Sequence, residues 1–241
     1  MECWQYLIKK EKSQHQNFQS NPILSSNVCV EPISYQEAKD FILEYEWLGN
    51  MGWGNICFGL RHETKLIAVV VFGSHLGRTI NLNSKGTKKI AKAFQLHRGA
   101  SAPNCPTWGP SYLIRRSLKE IQRIYNSSLV FCYADPQAGE VGTIYQACGA
   151  VYLGLTDPGG AKYLDINGIL FHPRKVYRIY GTRNITTLTE KGLSVKAIPI
   201  HKKHRYVFIL GSNQHEILKL FAKKISPYPK RTASSPMNTN K

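Results

Sequence analysis

Hydrophobic positions fall into short runs whose period switches repeatedly between the 3.6-residue spacing of a helix and the alternating or continuous pattern of strands. Ser34 followed by Glu37 forms a capping box, and Ala38, Phe41, Ile42, Tyr45 and Leu48 then recur at helical spacing until Gly49 stops the run. Two runs rich in Ile, Val and Phe, 55–60 and 66–72, flank the polar turn 61–65 and predict a hairpin. After a polar stretch at 73–89, Ala93 to Arg98 alternates as a short strand does. The segment ASAPNCPTWG at 100–109 must be a loop. Pro110 suits the first helical position, and Leu113, Ile114, Leu118, Ile121 and Tyr125 make one apolar face behind it. The continuous apolar run 129–134, closed by Asp135-Pro136, reads as a central strand; a helix at 141–148 ends at Gly149, and 151–155 is another strand. This alternation predicts an α/β protein, a mixed sheet flanked by helices.

Further along, 162–166 and 169–172 flank the hairpin turn Asn167-Gly168, and 206–210 is one more strand. The expected organisation is a strand/loop segment at 1–27, a catalytic domain at 28–211 with a basic C-terminal extension from about 156, and a basic segment at 212–241. From 226 onward the Ser, Thr, Pro, Asn and Lys content predicts a disordered tail.

Charge changes the picture most. The 241 residues carry a formal charge of +17. Residues 151–241 hold 16 basic and 4 acidic side chains, so most of the excess lies in the last third. A polyanionic partner follows, and double-stranded DNA is the expected one. The clusters Arg174, Lys175, Arg178 and Lys202, Lys203, Arg205 are the candidate phosphate contacts, with Tyr163, Tyr177, Tyr180 and Tyr206 between and beside them for stacking. No apolar run reaches the ~18 residues that span a bilayer, and residues 1–10 lack the pattern of a signal peptide. The expectation is a soluble, cytoplasmic protein without a membrane partner. Six cysteines without a CxxC pair read as reduced thiols, and the Lys202-Lys203 pair inside the HxxH spacing of His201 and His204 would repel a cation there. Whether a metal is required is left open.

The sequence VGTIYQACGAVYLG at 141–154 resembles the late motif of the GCN5-like (GNAT) acyl-CoA N-acyltransferase superfamily, in which a helix carrying an Ile-Tyr or Leu-Tyr pair ends in Gly and leads into a strand. With FCYADPQAGEVGTIYQACGAVYLG and EYEWLGNMGWGNICFGLR, the whole is similar to the Mom family of phage DNA-modifying proteins over roughly residues 30–210. The resemblance implies a GNAT-like fold and a transferase that adds a carbamoylmethyl group to the exocyclic N6 of adenine in DNA, in evasion of host restriction enzymes. It also implies acetyl-CoA or another CoA-type donor. Acetyl transfer alone does not give a carbamoylmethyl product, so a small amine-bearing metabolite or a metal such as iron enters as an additional requirement.

On that resemblance Tyr145 falls on the tyrosine that protonates the departing thiolate; the other reading is a core aromatic. Asp135, at the end of the central strand, is the candidate base or orienting group, or else a turn-former. Gly109 and Ser111, at a loop feeding a helix N-terminus, are candidate ligands of the donor's phosphates, although Gly109-Pro110-Ser111 stands in place of the superfamily's Arg/Gln-x-x-Gly-x-Gly/Ala signature. Arg98 is a further phosphate candidate or a snorkelling surface residue. Glu46 can take a proton or be a solvated helix carboxylate. Trp47 and Trp53 flank a Gly-rich turn and can stack on an extruded base or simply pack. Relatives often carry His-Tyr where this chain has Glu46-Trp47.

Overall fold

The computed structural model describes residues 4–14, 23–48, 50–74, 92–126, 128–157, 162–171, 173–199, 201–212 and 214–230. Two compact units emerge, one comprising 1–155 with 203–241 and the other 156–202. Helix α1 (Trp4–Gln14) precedes strand β1 (Val28–Pro32), helix α2 (Tyr35–Tyr45), the hairpin of β2 (Ile56–His62) and β3 (Lys65–Ser74), and strand β4 (Lys92–Ser101). Helix α3 (Gly109–Tyr125), β5 (Ser128–Ala134), the short α4 (Thr143–Ala147) and β6 (Val151–Leu155) follow. The second unit contains β7 (Lys162–Ile166), β8 (Ile169–Phe171), α5 (Pro173–Tyr180), α6 (Ile185–Glu190) and β9 (Val195–Pro199). The chain then returns through β10 (His204–Leu210) and α7 (Gln214–Phe221).

Period-two alternation organises the seven-stranded sheet of order β1-β2-β3-β4-β5-β10-β6. Along β3, Val70 and Phe72 face the cluster that α3 covers with Leu113, Ile114, Leu118 and Ile121. Val69 and Val71 point the other way, to Ala38, Phe41 and Ile42 of α2. On that side of β5 and β10, Leu129, Phe131 and Val207 pack with Ile217 and Phe221 of α7. β3 is therefore buried on both faces, which explains its unbroken apolar run. The α2 cap forms as its sequence predicts: the Glu37 N–H donates to Ser34 Oγ at 3.1 Å. The mixed sheet with helices on its faces is the fold class expected.

One irregularity shapes the site. β4 and β5 are parallel and paired only from Lys92↔Ser128 to Gln95↔Phe131. Next to this point the β3–β4 register slips by one residue, with Val71 opposite Arg98 but Phe72 opposite Leu96. Such a bulge bends its strand and increases local twist. Beyond it β4 continues along β3 to Ser101, while β5 continues along β10 to Ala134. The two parallel strands thus part, and a wedge opens between their C-terminal halves.

Three expectations change. Residues 4–14 are helical rather than strand or loop; α1 is a largely polar helix held by tertiary bonds, its Gln5 Nε2 donating to the Tyr45 carbonyl and its Lys9 Nζ to the Cys105 carbonyl at 3.3 Å, so local patterning gave little sign of it. The stretch from 156 is an inserted unit, with its own three-stranded sheet β8-β7-β9 and a core of Leu164, Ile166, Val176 and Leu188, after which the chain re-enters the main sheet between β5 and β6. The tail expected to be disordered begins in place: the Ser226 N–H donates to Tyr152 O at 3.0 Å and the Tyr228 hydroxyl to Ala150 O at 2.7 Å. Residues 231–241 lie outside the described residues.

Candidate active site

The wedge encloses a cavity of about 240 Å³ within the first unit. Ala68, Val70, Leu96, Ala100, Leu113 and Ile114 give it apolar walls, and Ser101, Gln5, Glu140, Thr143 and Tyr145 bring polar groups to it. Splitting the sheet is what creates this space, because two strands held in register leave no room between them. A mostly apolar recess with a few convergent polar groups is the usual form of a small-molecule site.

Tyr145 comes from α4, whose N-cap Gly142 has φ +72°. A Cβ on Gly142 would lie 2.4 Å from Tyr206 Cε2, so this turn needs glycine both for its left-handed backbone and for its approach to the Tyr206 ring. The Tyr206 hydroxyl donates to Val141 O and receives the Gln146 amide at 2.9 Å, which pins the turn. Burial holds the Tyr145 phenol well above its ordinary pKa, with neighbouring Cys132 and Glu140 adding to the effect. It stays protonated at neutral pH and so has a proton to give. Such a group suits protonation of a leaving anion.

The loop after β5 carries the site's carboxylates. Asp135 Oδ2 meets Lys203 Nζ at 2.9 Å, and the pair is largely buried on the Asp135 side. Glu140 lies five residues on and lines the cavity. Its Oε2 accepts the Asp135 backbone N–H at 3.1 Å and its Oε1 accepts the Trp47 indole N–H at 3.1 Å. Burial raises the Glu140 carboxyl above the ordinary carboxylate value, against the pull of those two donors. Glu140 was missed in the sequence, where the only sign of it is a carboxylate in the short link between a central strand and the next helix.

Other expected residues serve different ends. Arg98 does not line the cavity; its guanidinium donates to Asn50 O at 2.7 Å, to Asn50 Oδ1 and to His97 O, so it holds the α2–β2 loop. Glu46 ends α2, with its backbone N–H on Ile42 O and its Oε2 accepting the Leu48 N–H at 2.8 Å; it is buried, not a solvated surface carboxylate. Trp47 is half-buried and its indole N–H is committed to Glu140, which makes it a support for the site rather than an open stacking surface. Trp53 does stand out, with 75% of its side chain exposed. The loop beneath it is fixed: a Cβ on Gly54 would lie 2.4 Å from Val71 Cγ1, and the Asn55 N–H donates to Phe72 O at 2.9 Å.

Gly109 and Ser111 do not make an open anion cradle. Gly109 is buried, its absent Cβ leaving room for Cys105 Sγ, which would otherwise lie 2.6 Å away. Its N–H already donates to Pro106 O at 2.8 Å, Pro110 has none, and the Tyr112 N–H donates to Trp108 O. Ser111 Oγ also donates to Trp108 O, at 2.9 Å. A helix start binds anions through N–H groups that have no other partner, and here much of the first turn is engaged. These residues do not fit the usual pyrophosphate element of a CoA-type donor, whereas the apolar wedge with Tyr145 fits its acyl-bearing end.

Among the nucleic-acid candidates, Lys202 is exposed, but Arg205 is buried at 7% exposure, its guanidinium donating to Leu153 O at 3.1 Å inside the sheet. That removes it from a phosphate-tracking surface: β10 is an interior strand, paired with β5 and β6, which its position after a Lys-rich loop did not reveal. Lys203 is tied to Asp135. Arg174, Lys175 and Arg178 fall on α5, and their side chains lie outside the described residues. Also among the described residues, no three His, Cys, Asp or Glu side chains are grouped to hold a metal ion. No helix there is long and apolar enough to cross a membrane.

A mixed sheet split between two parallel strands, with a helix after each and an apolar recess in the split, defines a GNAT-like α/β protein. The chain belongs to the Mom protein family, whose model matches residues 27–230. No curated protein matches its sequence. Solved structures similar to it include an aminoglycoside N(6′)-acetyltransferase from Legionella pneumophila (10% identity, TM-score 0.44, covering 84% of this chain and 99% of that one). A polyamine N-acetyltransferase from Drosophila melanogaster is similar at 12% identity and TM-score 0.44 (76% and 100% covered), and an IAA acetyltransferase from Bacillus cereus at 14% and 0.39 (76% and 99% covered). Likenesses this faint say nothing of substrate.

Proposed function

We propose that the chain is a DNA-modifying transferase that adds a carbamoylmethyl-type group to N6 of adenine, the reaction its family resemblance implies. The observation that carries the reading is the wedge itself: an apolar recess sized for a small acyl group, with a phenol that stays protonated and a carboxylate both lining it. The formal charge of +17 supports a polyanionic substrate. N6 of adenine is a poor nucleophile because its lone pair is delocalised into the ring, and in a duplex it is out of reach of a recess. The base must therefore be extruded and held against the donor; the exposed Trp53 is our candidate for stacking on it.

In this reading the walls of Ala68, Val70, Leu96, Leu113 and Ile114 exclude water from the reacting carbon. Tyr145 gives its proton to the leaving atom. A CoA-type thioester would supply an activated acyl carbon and a thiolate leaving group, and since acyl transfer alone does not give a carbamoylmethyl product, an amine-bearing metabolite would supply the nitrogen of the added group. Nucleoside mass analysis of DNA from cells producing the chain tests the proposal. An adenine nucleoside carrying the added group is the expected result; unmodified DNA alongside newly acetylated protein or small amines would overturn it in favour of an ordinary N-acetyltransferase.

A further inference from the structure

We propose that Glu140, not Asp135, accepts the proton that the attacking amine loses, and that Trp47 and Gln5 are its positioning residues. This rests on the reading that the wedge modifies an exocyclic amine. Three observations carry it. Glu140 lines the cavity, as Tyr145 does, whereas the Asp135 carboxylate is turned to Lys203 and does not line it. Both Glu140 oxygens are oriented by N–H donors, one from the Asp135 backbone and one from the Trp47 indole. Trp47 is in turn seated by α1, the Gln5 Oε1 accepting the Trp47 backbone N–H at 3.3 Å while Gln5 Nε2 donates to Tyr45 O. α1 lies outside the stretch that the family model matches, so this support is supplied by an element beyond residues 27–230.

The step balances as follows. The N6 lone pair forms a bond to the donor carbon, and the bond from that carbon to its leaving atom breaks. The leaving atom departs with the electron pair and takes the Tyr145 proton. The proton on N6 passes to Glu140, which returns it to solvent, and Tyr145 recovers its own the same way. A carboxylate held above the ordinary range is a better proton acceptor near neutral pH than an ordinary one. The charged groups that set its value are Asp135, which raises it, and Lys203, which lowers it; Tyr145 across the cavity is neutral.

The test compares modified-adenine yield from cells producing Glu140→Gln, Glu140→Asp, Asp135→Asn and Trp47→Phe, with folding followed by thermal melting. Glu140→Gln should lose on the order of 100-fold or more, the size of a general-base contribution, and Asp135→Asn less than about tenfold. Glu140→Asp keeps a carboxylate one carbon shorter and should retain partial yield, which separates lost chemistry from lost folding. In extracts containing the cell's own donor, the acid limb of the wild-type rate should move to higher pH in Trp47→Phe, because the lost indole donor favoured the ionised form. A purely structural Trp47 would leave that limb in place. Equal yields from wild type and a folded Glu140→Gln overturn the proton-acceptor role. No modified adenine from the wild type overturns the parent reading instead, so the two failures are distinct.

Discussion

The loop after β4 and the loop after β5 occupy equivalent places, each leaving the C-terminal end of one of two parallel strands beyond the point where those strands part and each leading into a helix. They are built for opposite purposes. Residues 102–108 turn inward: Ala102 and Cys105 are buried, Gly109 closes on Cys105, and the Gly109 and Tyr112 N–H groups of α3 are bonded to Pro106 O and Trp108 O. Residues 135–142 face the cavity with Glu140, Val141 and Gly142 and hand over to Tyr145. Both loops contain Pro and reach a helix at a Gly, Gly109 and Gly142, the features that suggest an anion cradle. What separates them is where the polar groups face, and only the second brings a carboxylate and a phenol to the recess.

Substitutions on the two loops should therefore separate activity from stability. Tyr145→Phe should leave thermal stability and DNA binding close to wild type while modified-adenine yield falls by on the order of 100-fold; an unchanged yield would remove the proton-donor role. Gly109→Val should act on folding instead. Its side chain meets Cys105 Sγ and Leu60 Cδ2, and overpacking of this kind costs about 1–3 kcal/mol. Chemical denaturation would show it, with yield per folded molecule unchanged.

A third change tests a part independent of both loops. Leu155 and His204 are paired across β6 and β10, so a short turn can replace residues 156–202 without opening the main sheet. That insertion holds 8 basic and 3 acidic side chains. Its removal should weaken duplex binding by roughly tenfold at moderate salt and flatten the salt dependence, while Glu140 and Tyr145 remain in place. Affinity and salt slope equal to wild type would move DNA binding to the first unit. The smallest effect is expected from Ser111→Ala, at about 1 kcal/mol of stability or less for one neutral hydrogen bond. A marked fall in donor use in that variant would restore the first loop as an anion cradle and erase the contrast.

Much of this molecule is legible in residue order. Alternation and capping signals located α2, the β2–β3 hairpin, α3, β5 and β6, because each is decided by local propensity and by which face must be buried. The motif at 141–154 placed Tyr145 on the short helix after the central strand. Local pattern could not reveal α1, which is held by Gln5 and Lys9 reaching residues far along the chain. Nor could it show that β10 crosses back into the sheet, which buries Arg205 and brings Lys203 to Asp135. Charge and residue type say which side chains can ionise or donate; which of them find a partner first is settled by long-range packing. So the sequence by itself determined the α/β class, the strong positive charge and Tyr145. Only the tertiary structure decided that Arg98 grips a loop, that Gly109 is a packing residue, and that Glu140 is the carboxylate lining the wedge, because a desolvated polar group is committed by whatever the fold brings within hydrogen-bond distance.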